Sequence, residues 1–115
     1  MTAQQLSKII AKGMEEKKAS DILVMDLRSV KDTVTDFFVI CSGYSGTQLD
    51  AISKSIEEQV HKAAESPAWK VEGRSNGQWI LMDYVNVVAH IFLSDTREYY
   101  GLEDLWGDAK TTRIS

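Results

Sequence analysis

Two histidines, one cysteine and scattered carboxylates are the groups in this 115-residue chain that could hold a metal or attack a substrate. His61 falls in a helical pattern and His90 in an apolar extended run, and neither belongs to a recurring zinc-ligand spacing, so no metal site is expected. Cys41 lies within an apolar stretch and would need a base held beside it to act as a nucleophile; it reads as a core thiol. Nucleotidyl transfer asks for paired carboxylates on a strand to hold Mg²⁺, and the sequence contains no Asp-x-Asp. Asp21, Asp26 and Asp83 therefore read as turn formers at strand ends. Gly43-Tyr44-Ser45-Gly46, after a strand and before a helix, could hold phosphate on backbone N–H groups. It has neither the Gly-x-Gly-x-x-Gly pattern nor a following Lys-Ser or Lys-Thr pair. We expect no catalytic residues and no cofactor.

Residues suited to binding are concentrated in the second half: Trp79, Tyr84, Arg97, Tyr99, Tyr100 and Trp106. Trp, Tyr and Arg dominate interface hot spots because they bring large rigid area with a polar handle. In the run from Gln78 to Tyr84, Trp79, Leu81 and Asp83 share one strand face while Ile80, Met82 and Tyr84 share the other.

The elements that must position these residues follow from periodicity. Leu6, Ile9, Ile10, Gly13 and Met14 recur at helical spacing behind a Thr2/Gln5 capping box, predicting a helix over residues 2–17. Ile22-Leu23-Val24-Met25 and Phe37-Phe38-Val39-Ile40-Cys41 are short two-sided apolar strands. Ser45 and Gln48 form a second capping pair ahead of Leu49, Ile52, Ile56, Val60 and Ala63, giving a helix over 46–64 that Ser66-Pro67 ends. Extended segments follow at 69–72, 78–84 and 87–93, separated by Gly73 through Gly77 and by Val85-Asn86. Asp95 and Glu98 cap a last helix reaching Trp106, weakened by Gly101 and ended by Gly107. Residues 109–115 read as a short loose tail. The predicted fold is a single α/β domain over residues 1–108, a mixed sheet of about five strands with about three helices. Sheet surface beyond what three helices cover is left for a partner or a second copy.

Composition narrows the function. A 43% apolar content supports a core without disulfides, and a net charge of −4 argues against phosphate neutralisation and direct nucleic-acid specificity. A basic protein partner is the easier match. No apolar run has signal-peptide or membrane-spanning length, and no Arg- and Ser-rich extension precedes the first helix, so a cytoplasmic location is expected.

One set of motifs is more specific than any of these features alone. Asp21-Ile22 with Asp26, Thr35-Asp36-Phe37-Phe38-Val39-Ile40-Cys41-Ser42-Gly43, Glu72-Gly73, Trp79-Ile80-Leu81 with Asp83-Tyr84, Val87-Val88-Ala89-His90-Ile91-Phe92, and the run from Arg97 to Trp106 occur in one order and spacing. Together they resemble the ribosomal silencing factor family, also called the Iojap or RsfS family. The resemblance implies binding to the large ribosomal subunit through ribosomal protein fourteen, a basic protein on the subunit-joining face. Steric exclusion of the small subunit and repression of translation would follow. It also implies a nucleotidyltransferase-like topology without the catalytic carboxylates, and a homodimer when the protein is not on the ribosome.

By position, the resemblance places the partner-binding surface on Trp79, Leu81, Asp83, Tyr84, Arg97, Tyr100, Leu102 and Trp106. The family often carries Gly-Asp after the position of Tyr84, where this chain has Val85-Asn86, a departure that bears on the local turn and on any acidic contact there. Two other readings stay open at this stage. One is a nucleotide- or phosphate-binding enzyme using Gly43-Tyr44-Ser45-Gly46 with a metal on Asp26 or Asp83. The other is a homodimerising module without a ribosomal role.

Overall fold

The computed structural model describes residues 1–115 apart from Lys31, Glu65, Ser66 and Trp69. Helix α1 (Ala3–Glu16) starts at the expected capping box: the Gln5 backbone N–H donates to Thr2 Oγ1 at 3.1 Å and the Thr2 N–H donates to Gln5 Oε1 at 2.8 Å. Strands β1 (Ser20–Asp26) and β2 (Phe37–Gly43) run antiparallel, and helix α2 (Gly46–Ala64) returns the chain along α1. Strands β3 (Lys70–Glu72), β4 (Trp79–Asp83) and β5 (Val87–Leu93) follow as an antiparallel run, with β5 parallel to β2. The helix end expected at Ser66 and the strand start at Trp69 lie outside the described residues.

The sheet is mixed and has six strands in the order β3-β4-β5-β2-β1-β6. The sixth corrects the expectation of a loose tail: β6 (Lys110–Arg113) pairs antiparallel with β1, and the Ile114 N–H donates to Ile22 O at 2.8 Å. All four β6 residues are exposed. The unpaired edge of β1, and not burial of side chains, makes this segment a strand.

The last helix is also two pieces. Gly101, at φ +54, ends α3 (Ser94–Tyr100) and begins the single turn α4 (Leu102–Leu105). Left-handed backbone at that point suits glycine. The expected Asp95 cap is not formed: α3 starts at Leu93 with no side-chain cap, and Ser94 Oγ instead donates to Gly43 O at 3.3 Å.

Strand alternation separates two faces. Val39, Cys41, Ile80, Met82, Ala89 and Ile91 pack with Ile10, Met14, Ile52 and Ile56 of α1 and α2 in the main core. Gly13 lets those helices touch: a Cβ there would lie 2.8 Å from Ile56 Cα, and Ser55 Oγ donates to Gly13 O at 2.8 Å across the contact. The other sheet face carries a smaller cluster, Met25, Ile40 and Phe92, covered in part by Leu102, Trp106 and Ala109. Among the described residues, no helix is long and apolar enough to cross a membrane.

Candidate partner-binding face

The second sheet face is only partly covered, because α1 and α2 both lie on the first. Trp79 stacks on Phe92, its direct cross-strand partner, with ring centroids 4.8 Å apart. Tyr100 comes down from α3 onto the same indole, also at 4.8 Å. Trp106 meets Phe38 edge-on at 6.1 Å, and Leu102 packs into the same cluster. Leu81 and Asp83 continue the face along β4, lining a groove with Phe38, Val88, His90 and Trp106. Six of the eight expected contact residues, Trp79, Leu81, Asp83, Tyr100, Leu102 and Trp106, thus belong to one side of the sheet.

The remaining two do not present themselves there. Tyr84 follows the parity of Ile80 and Met82 and packs against the main core, where it lines a cavity of about 210 Å³ with Leu6 and Val60. Its hydroxyl is buried without a hydrogen-bond partner among the described residues, and burial pushes the phenol up to about 12. Arg97 is buried at 8% exposure and makes hydrogen bonds within the chain. It donates to Asp21 O at 2.6 Å, Ser42 Oγ at 2.9 Å and Glu103 Oε1 at 2.5 Å, tying α3 to the ends of β1 and β2 and to α4. Arg97 therefore shapes the face from beneath, with its Nε and Nη1 groups engaged inside the chain.

Sequence reasoning missed Phe38 and Val88 as members of this face, although alternation from Ile40 and Phe92 places them there. It also missed the link between Trp79 and His90. The indole Nε1–H donates to His90 Nδ1 at 3.1 Å, and Phe38 packs edge-on against the imidazole at 4.7 Å. Desolvation pushes His90 down to about 4, so the ring is neutral near pH 7 with its proton on Nε2.

The groups that an enzyme would use are committed elsewhere. Gln48 Oε1 accepts from the Tyr44 N–H at 2.7 Å, and Ser45 Oγ accepts from the Gln48 N–H at 3.1 Å, so one donor of the glycine loop and one of the first turn of α2 already have partners. Gly46 approaches the backbone closely, since a Cβ there would lie 3.3 Å from Gly77 Cα. Asp26 is paired with Arg28 at 2.7 Å, a hydrogen bond that lowers its pKa. Asp26 and Asp83 sit on β1 and β4, three strands apart in the sheet and so separated by about 14 Å, too far to share one ion. Cys41 is fully buried and its thiol is pushed up to about 12 by desolvation. No group of three or more His, Cys, Asp and Glu side chains among the described residues is arranged to hold a metal.

Comparison with known proteins decides the family. The family model described as "Ribosomal silencing factor during starvation" (RsfS) matches residues 1–115. The chain belongs to the ribosomal silencing factor family. It is 39% identical over 109 residues to the ribosomal silencing factor RsfS of Bacillus subtilis, covering 95% of this chain and 91% of that one. It is 34% identical over 95 residues to "Mitochondrial assembly of ribosomal large subunit protein 1" of Mus musculus, covering 81% of this chain and 41% of that longer protein. A crystal structure of a Chromobacterium violaceum protein superposes with a TM-score of 0.87 at 29% identity, covering all of this chain and 94% of that one. The RsfS match includes β6, so the family domain runs past residue 108 to the end of the chain.

Proposed function

We propose that this ribosomal silencing factor binds the large ribosomal subunit through ribosomal protein fourteen and, by occupying the joining face, keeps the small subunit away and represses translation. The observation that carries the reading is the half-open sheet face on which Trp79, Tyr100 and Trp106 stand together in a chain of this family. Aromatic anchors set in a partly dry patch are the usual core of a protein interface. The name of the mouse relative, which refers to the ribosomal large subunit, supports the choice of subunit.

The mechanism is steric and requires no turnover, so we assign no enzymatic activity. An acidic domain meeting a basic ribosomal protein gains association rate from steering, and salt weakens the encounter. Cytoplasmic action, and a homodimer when no ribosome is bound, belong to the same proposal. The test is co-pelleting of purified protein with isolated large subunits. Saturable recovery with large subunits, and none with small subunits, is expected; equal or absent recovery with both overturns the reading.

A further inference from the structure

A groove of about 290 Å³ runs beside the aromatic patch, floored by Val88 and walled by Phe38, Leu81 and Trp106. Two valines stand at its mouth. Val34 is 98% exposed and Val85 is 56% exposed. Val85 also occupies the tight β4–β5 turn with φ +74, a left-handed conformation that a β-branched residue adopts only under strain. Glycine would close this turn more easily and would expose no isopropyl group. Folding thus gains little from Val85, whose side chain is more than half exposed and whose backbone is strained.

The same groove carries two carboxylates, Asp32 and Asp83, and no Lys or Arg among its described lining residues. Lys70, opposite Asp83 on β3, makes its ion pair with Glu72 at 2.9 Å and feels Asp83 only through the weaker long-range attraction. The imidazole of His90 in the wall is neutral near pH 7 and adds no positive charge to the groove. An apolar trough ending in two carboxylates, neither of which forms an ion pair among the described residues, matches a long cationic side chain, whose methylenes lie on apolar surface while its head stays polar.

We infer that this groove is a subsite for one lysine or arginine side chain of the protein partner, with Val34 and Val85 holding its aliphatic stem and Asp32 and Asp83 its charged head. The inference rests on the partner-binding reading above and names the chemistry of one part of that face. A volume of this size takes one or two side chains and not a helix. The overall charge of −4 favours the same kind of partner.

The test compares binding to purified ribosomal protein fourteen across a salt series with thermal stability and sedimentation. The variants are Val34→Ser, Val85→Gly, and Asp32→Asn combined with Asp83→Asn. The two amide substitutions are chosen to leave the backbone alone: asparagine tolerates the left-handed φ of +65 at position 32, and at position 83 it keeps an Oδ1 where the aspartate accepts from the Val85 N–H at 2.7 Å. Val85→Gly should raise the Tm yet weaken binding about fivefold, and the double amide variant should weaken it about tenfold at low salt and flatten the salt dependence. A stabilised Val85→Gly with wild-type affinity overturns the subsite. Weakened binding in the valine variants but not in the double amide variant overturns the cationic occupant in favour of an apolar one. A change in self-association alone assigns the groove to a second copy and overturns the proposal. Wild-type protein that fails to bind protein fourteen even at low salt overturns the partner reading itself, and the subsite with it.

Discussion

Trp79 and His90 are joined across the β4–β5 ladder by a 3.1 Å hydrogen bond from the indole Nε1–H to imidazole Nδ1, and this bond fixes both the tautomer of the histidine and the tilt of the indole. Trp79 is thereby held against Phe92 below and Tyr100 above before any partner arrives. A preorganised anchor loses little side-chain entropy on binding.

The neutral state of His90 makes stability depend on pH. Its folded pKa of about 4 lies below the ordinary 6.5, so between these values the unfolded chain takes up a proton that the folded chain refuses. Stability should therefore fall as pH drops from 6.5 to 4, by about 3 kcal/mol from this group. Urea midpoints measured across that window check the sign, and His90→Gln should remove most of the slope. An unchanged slope in the variant would assign it to other groups.

Arg97 is expected to matter for folding and not directly for recognition. Arg97→Met leaves Glu103 without its cation, and Asp21 O and Ser42 Oγ without their donor, in a buried corner. Breaking such a buried arrangement costs about 3 kcal/mol. A lowered denaturant midpoint is the expected result. Loss of binding with an unchanged midpoint would instead return Arg97 to the interface.

Gly13→Ala sets two effects against each other. Alanine favours the helix by about 1 kcal/mol, while overpacking a tight contact costs about 1–3 kcal/mol. The obstacle is the backbone Cα of Ile56 at 2.8 Å and not a flexible side-chain end, so the overpacking term should win. A net loss of about 1 kcal/mol is expected by thermal denaturation. Net stabilisation would mean that α1 and α2 separate easily.

Removing residues 109–115 should cost stability, because it strips β6 from β1 and takes Ala109 from the cluster beneath Trp106. Hydrogen exchange should report the loss first at the β1 amides that pair with β6. Unchanged protection in β1 would restore the reading of a loose tail.

How much of this was legible depends on which force acts. Helix α2 showed in the sequence because a capping pair and an apolar stripe agree over 19 residues, and β2 because aromatic and β-branched residues crowd together. Strand β6 did not, since Lys110, Thr111, Thr112 and Arg113 have no apolar alternation and are ordered by a neighbour remote in sequence. Arg97 reads as surface from its charge alone, and its buried partners come from β1, β2 and α4. The parity separating Tyr84 from Trp79 was visible in the strand pattern, yet the family resemblance placed both on one surface. The strain at Val85 lies in a backbone angle that only the folded turn shows.

Trp79→Ala and Tyr100→Ala, if each side chain is an anchor, should each cost about 2 kcal/mol of binding, roughly thirtyfold in Kd, to isolated large subunits. Wild-type affinity in both folded variants would remove this face from the interface.

Steric exclusion itself is decided by mixing large subunits with this protein, adding small subunits, and resolving the particles on a sucrose gradient. Whole ribosomes should disappear in proportion to bound protein, and Trp79→Ala should restore them. Undiminished formation of whole ribosomes with large subunits saturated by the protein would contradict the mechanism.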